Sequence, residues 1–384
     1  MCLGKIYDII LLGDTLMKEQ LNKILKLLED NHINFYANIT KAELKNYIKE
    51  LLMTNELQDK YVLYYIVSKI IKKALNRNDS HTTIFFKNGE RVPLKFAFFD
   101  DKLYVVDAKD KDLIYSQVLE INNIDIKEIL FELEQTITYS TNGWKEFSLA
   151  RDISSISKLR SLKILNKPKD FEYTFLKNGV KEKRVFNNQS LDSAKIQNYT
   201  YSINNDIMHI IYNSCENEEK MNELVDIVKD HSEIKYYIID LRDNRGGNSN
   251  IIKPLIEVLK GKKNITLVNK KVYSSGIFAI VDLKNIGSIF VGTEVGSSIN
   301  CFCNVKRIEL DEFIIMISHR YYYLDENTNK INTITTKDEY DKLDNKYKDN
   351  YFFKPDYYVE ECLDDLKNHK DVYMSKALEV IKKL

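Results

Sequence analysis

The chain has 384 residues, with Lys+Arg and Asp+Glu both at 57, so its formal net charge is zero. That balance argues against a protein built mainly to grip a polyanion, and 44% hydrophobic with 30% charged residues fits a globular chain long enough for two or three domains. Five scattered cysteines (Cys2, Cys215, Cys301, Cys303 and Cys362) suggest reduced thiols and a cytoplasmic setting. No run has the length and apolarity of a membrane span. The N-terminus meets Asp14 soon after a short apolar patch and shows no clear cleavage site, so it reads as mature protein and not a signal peptide.

The first elements are helical. Leu21, Ile24, Leu25 and Leu28 share a stripe over Leu16–Leu28. Thr40 and Glu43 form a capping-box pattern ahead of Leu44, Tyr47, Ile48 and Leu51. A third helix, Asp59–Leu75, is apolar on most faces and should be buried within its bundle. Near Asn76 the period changes. Thr82–Phe86, Lys95–Phe99 and Leu103–Val106 read as strands, with turns at Asn88-Gly89 and Asp100-Asp101. Val118–Leu133 reads as strand, Asn-Asn turn and helix. Tyr173–Leu176 and Glu182–Phe186 flank the hairpin signal Asn178-Gly179.

From Tyr201 strands and helices alternate: strand Asp206–Tyr212, helix Glu218–Lys229, strand Tyr236–Ile239, helix Ile251–Leu259, strand Ile265–Val268, a helix after Ser275, and strand Ser288–Val291. The tail Tyr357–Leu384 returns to helix. This order predicts an α/β core of stacked βα units. The expected domains are an N-terminal helical bundle (1–77), a β-rich region (78–200) and the α/β core (201–384).

Three segments are candidates for chemistry. The run Tyr236–Asn250, YYIIDLRDNRGGNSN, is a buried strand that breaks into a loop with adjacent Gly246 and Gly247 before a helix. Backbone N–H groups at such a loop can face an anion or a developing oxyanion, although a double glycine is commonly only a turn. Ser274, in Tyr273-Ser274-Ser275-Gly276, stands at a strand-to-helix junction. That place is by default an N-cap, and the same geometry also exposes a hydroxyl as a nucleophile requires. His81, in Asn78-Asp79-Ser80-His81-Thr82, is by itself more often a structural or surface histidine than a base. Cys301 and Cys303 share one face of a strand, a packing pattern with no complete metal-ligand set around it. His32, His209, His231, His319 and His369 have no partners recognisable in sequence and read as packing or surface residues.

Together the segments resemble the tail-specific, or C-terminal processing, serine peptidase family, including relatives of the tricorn protease core. Asp79-Ser80-His81-Thr82 is similar to the family's Gly-Asp-x-His-Thr. Asp240-Leu241-Arg242-x-Asn244-x-Gly246-Gly247-Asn248 matches its Asp-Leu-Arg-x-Asn-x-Gly-Gly-Asn signature. Tyr273-Ser274-Ser275-Gly276 resembles its nucleophile segment. Val291-Gly292 with Gly296, and Lys354-Pro355-Asp356, resemble two further elements. Val118–Leu133 is similar to the end of the family's PDZ-like module, without the usual glycines.

The resemblance implies a ClpP/crotonase-like α/β core with an N-terminal helical domain and a small degenerate PDZ-like module. It implies a serine-type peptidase acting on unstructured peptide or protein substrates by acyl transfer. Ser274 would be the nucleophile and His81 the general base. Ser275 and either Gly246 or Gly247 would supply the oxyanion donors, and Ser80 would support the histidine. Gly296-Ser297-Ser298 carries no lysine, so a Ser–Lys dyad is not implied. Relatives carry histidine and glutamate where this chain has Cys301 and Asn304, which leaves the carboxylate that would orient His81 unassigned. No cofactor, metal, nucleic acid or membrane partner is implied, and no stoichiometry follows. The alternative is a catalytically impaired peptide-binding protein on the same fold. A crotonase-type acyl-CoA enzyme is disfavoured because no basic cluster is placed for the CoA phosphates.

Overall fold

The computed structural model describes residues 15–76, 78–187 and 197–384, so Cys2 and most of the N-terminal stretch read as mature protein lie outside the described residues. The described residues divide into two compact units. One draws on Met1–Asp192, Phe302–Tyr321 and Thr333–Leu343, the other on Ser193–Cys301, Tyr322–Asn332 and Asp344–Leu384.

In the first unit the three expected helices form as Thr15–Asn31, Lys41–Thr54 and Lys60–Leu75. The capping box closes: the Thr40 side chain accepts from the Glu43 N–H, and the Glu43 carboxylate accepts from the Thr40 N–H. Asp59 caps the third helix by accepting from the Tyr61 and Val62 N–H groups at 2.9 and 3.0 Å. The helices do not close a core alone. Their buried stripe is shared with Ile84 from strand Thr83–Phe86 and with Phe313, Ile315 and Ile317 from strand Phe313–Asp325. Those strands pair antiparallel, Thr83 opposite Met316 and Phe86 opposite Phe313, which fixes the turn Asp79–Thr82 just before them.

A second sheet in this unit runs Leu94–Phe99, Lys102–Ala108, Gln117–Ile121, Phe171–Lys177, Val180–Phe186, with Ile124–Asp125 beside Gln117–Ile121. Its tight turns are the predicted ones. Asp100/Asp101, Asn122/Asn123 and Asn178/Gly179 all have positive φ, as two-residue hairpin turns require. Helices Asn142–Asp152 and Ile156–Ser161 were not expected from the sequence. They pack around a buried ion pair, Lys158 Nζ to Asp152 at 2.6 Å, with Arg151 on the other oxygen at 2.9 Å.

The second unit is the stacked βα core. Its sheet order is Tyr357–Tyr358, Ile289–Gly292, Lys263–Val268, Tyr236–Asp240, Ile207–Tyr212, Tyr199–Asn204. All neighbours are parallel except the last pair, where the edge strand Tyr199–Asn204 runs antiparallel. Strand Tyr236–Asp240 is covered on both faces, which explains its unbroken apolar run. Tyr237 and Ile239 face helices Glu218–Asp230, Lys253–Leu259 and Ser275–Asn285. Ile238 faces the C-terminal helix Val372–Ile381. The tail is therefore helical as expected, apart from the short strand Tyr357–Tyr358 that adds to the sheet edge. Loops at the carboxyl ends of the parallel strands carry Gly246, Gly247 and Ser274, with Ser275 opening the helix that follows, the usual place for a site on such a sheet. Among the described residues no helix is long and apolar enough to cross a membrane.

Candidate active site

Ser274 adopts φ 54°, ψ −128°, a region sparsely populated by residues with a side chain. It precedes helix Ser275–Asn285 at the N-cap position, yet its side chain makes no capping bond, so capping does not explain it. The turn is held by backbone bonds: Tyr273 N–H to Asn244 O at 3.0 Å, Gly276 N–H to Tyr273 O at 3.0 Å, and Ile277 N–H to Ser274 O at 2.8 Å. A strained serine between strand and helix is the geometry that exposes a nucleophilic hydroxyl.

The glycine loop lies directly against this turn. A Cβ on Gly246 would sit 2.7 Å from the Ser274 Cβ, 2.9 Å from the Ser275 N and 3.1 Å from the Ser274 Oγ, and its φ is +100°. A Cβ on Gly247, at φ +132°, would sit 2.3 Å from the Cys215 carbonyl oxygen. Both glycines are therefore needed for close approach and for dihedral freedom. The sequence left open which one supplies a donor. Gly246 donates its N–H to Asn244 Oδ1 at 2.9 Å. The N–H groups of Gly247 and Ser275 donate no hydrogen bond among the described residues. The Ser275 hydroxyl donates to the Gly247 carbonyl at 2.6 Å, fixing that peptide.

Asn244 is the residue whose role the sequence did not reveal, although its fixed spacing ahead of the glycine pair was a signal. Fully buried, it donates from Nδ2 to the Tyr212 carbonyl at 2.9 Å and accepts from Gly246, while its backbone oxygen receives the Tyr273 N–H. It thus joins the glycine loop to the serine turn. The motif's Asp240 and Arg242 pin the other end of the loop. Arg242 binds Asp240 through Nε and Nη2, and Asp371 through both terminal nitrogens at 2.9 Å, beside the Tyr373 ring. Burial opposes ionisation of Asp240, but His209 at 3.5 Å and Arg242 hold its carboxyl far below the usual range.

In the other unit, His81 and Ser80 are buried in the turn ahead of strand Thr83–Phe86. His81 Nε2 lies 3.5 Å from the Cys303 Sγ, so Cys303 has a polar partner beyond packing. Nδ1 lies 4.0 Å from Asp79 Oδ1. Burial lowers the ring's affinity for a proton, but Cys303 and Asp79 outweigh it, and the pKa is raised. His32, read from sequence as lacking a partner, is bonded through Nε2 to Asp79 Oδ2 at 2.9 Å.

No family model matches the chain, and no curated protein matches it in sequence. Among solved structures it is similar to mature CPAF, with a TM-score of 0.66 at 11% identity over 99% of this chain and 97% of that one. Mature CPAF complexed with lactacystin gives 0.65 at 11% identity, covering 99% and 98%. The photosystem II D1 C-terminal processing protease gives 0.46 at 9% identity, covering 90% and 94%. The chain has the fold of mature CPAF, as the resemblance in sequence implied.

Proposed function

We propose that this chain is a serine-type peptidase that cleaves unstructured peptide or protein substrates by acyl transfer. The observation that carries the reading is the strained Ser274 turn packed on a glycine loop with two uncommitted N–H groups, Gly247 and Ser275, in the same unit. The likeness in fold to mature CPAF supports it. Ser274 Oγ attacks the scissile carbonyl and passes its proton to His81. The tetrahedral oxygen is held by the Gly247 and Ser275 N–H groups, each typically worth about 3–4 kcal/mol in such sites. Collapse expels the amine, which takes the proton back from the imidazolium, and water then releases the acyl group by the same route. Ser80 supports the turn that carries His81, and the small antiparallel sheet of the first unit serves to position substrate. The expected setting is cytoplasmic.

A fluorophosphonate probe tests this directly. Labelling should map to Ser274 by mass spectrometry, vanish in Ser274→Ala and fall sharply in His81→Ala, in parallel with hydrolysis of an unfolded protein substrate. Undiminished labelling of Ser274→Ala, or binding of peptide with no turnover by the wild type, would refute the peptidase reading. The second outcome would favour a binding protein on the same fold.

A further inference from the structure

Asp79 is fully buried, and its carboxylate is saturated by four donors. Oδ1 accepts the His81 N–H at 2.6 Å and the Thr82 N–H at 3.2 Å. Oδ2 accepts the Thr82 hydroxyl at 2.5 Å and His32 Nε2 at 2.9 Å. The Thr82 hydroxyl in turn receives the Ser318 N–H at 3.0 Å, locking the turn to the neighbouring strand. Carboxylates bonded in this way stay ionised even out of water. Burial opposes the charge on Asp79, but His32, His81 and Thr82 hold its pKa below the ordinary value.

The Nδ1 of His32 accepts the Asn34 N–H at 3.0 Å, which leaves Nε2 as the nitrogen that donates to Asp79. No Lys or Arg pairs with Asp79 among the described residues. A buried anion is costly unless a countercharge is near. The ring 4.0 Å away, His81, is the group that can supply it. At that distance there is no hydrogen bond, and the coupling acts through space. His81 is also faced by the Cys303 thiol and the Phe302 carbonyl.

We infer that the buried His32–Asp79 pair serves His81: His32 fixes the Asp79 carboxylate, which anchors the backbone of His81 and stabilises the imidazolium formed when that ring takes a proton. Asp79 and His32 are thus positioning residues. This rests on the peptidase reading for its catalytic consequence, but the electrostatic link can be measured without turnover.

Asp79→Asn alone would set an amide N–H against the His32 Nε2–H and misfold the turn. The double variant Asp79→Asn/His32→Gln avoids this, because the introduced glutamine can turn its oxygen toward the new amide. It removes the charge and keeps the oxygen that accepts the His81 and Thr82 N–H groups, while the Thr82 hydroxyl passes from donor to acceptor. His81 is then followed by NMR titration. In the wild type it should titrate above about 6.5. In His32→Gln, where a donor remains, it should be unmoved. In the double variant it should fall by about one unit or more, and the acid limb of kcat/KM should move down with it while kcat drops and KM holds. A wild-type His81 titrating at or below the reference value, or a folded double variant with the wild-type titration, would overturn the inference. Absent probe labelling of Ser274 would strike the peptidase reading instead and leave the NMR titration to decide this one.

Discussion

The substitution Gly246→Ala puts the packing of the glycine loop on the serine turn to the test. Two costs follow from the structure. The residue sits at φ +100°, where a side chain adds about 1–3 kcal/mol of backbone strain. The new methyl would also lie 2.7 Å from the Ser274 Cβ and 2.9 Å from the Ser275 N, inside contact distance, and such overpacking costs about 1–3 kcal/mol. Both neighbours it strikes are backbone-anchored, so neither can swing away. Gly261 is an internal control, at φ +74° with nothing within 4 Å of its missing Cβ, so Gly261→Ala carries only the strain. Differential scanning calorimetry should show a larger fall in Tm for Gly246→Ala than for Gly261→Ala, by about 1 °C for each kcal/mol of difference in a chain of 384 residues. The fluorophosphonate labelling rate should fall about 10²–10³-fold in the first, the usual loss when an oxyanion donor is displaced, and stay near wild type in the second. Equal behaviour of the two variants would refute the argument that Gly246 is fixed by its contact with the serine turn.

Two further outcomes are expected. Arg242→Ala leaves the buried Asp240 carboxylate without its main cation and should destabilise the protein by about 3–5 kcal/mol. Because the folded pKa of Asp240 is depressed, its stabilising contribution is present above the unfolded value near 3.9 and is lost as pH falls; the variant should therefore show a smaller gain in stability across the acid range in urea titrations at stepped pH. Because the pKa of His81 is raised and the base must be neutral, the acid limb of the kcat/KM profile should lie above about 6.5 and vanish with the residual activity of His81→Ala. A limb below that value would contradict the assignment of His81.

Much of the fold was legible because local chemistry and tertiary context agree. The Thr40–Glu43 box and the Asn and Asp residues at the positive-φ hairpin turns each announce their own geometry. Strand Tyr236–Asp240 announced its burial by an unbroken apolar run. Helices Asn142–Asp152 and Ile156–Ser161 did not, because their buried faces hold Ser148, Asp152, Ser157 and Lys158. An ion pair and polar side chains interrupt the buried apolar set of Trp144, Leu149, Ala150, Ile156 and Leu159. In the site, the glycines and Ser274 stood out by residue type and spacing. That the Gly246 N–H is taken up within the loop did not, since it depends on where one Asn244 side chain points. The Asp79–His32 pair was hidden for a different reason: 47 positions separate its members, and nothing in either segment names the other.

The Arg242–Asp371 clamp joins a motif loop to a residue near the far end of the chain. Anything that tugs on the last helix, such as a bulky fusion or an antibody against the tail, is thereby felt at the carboxyl end of the central strand. A reporter dye on the exposed Lys382 would read the state of that loop from a distance, without a label in the loop itself.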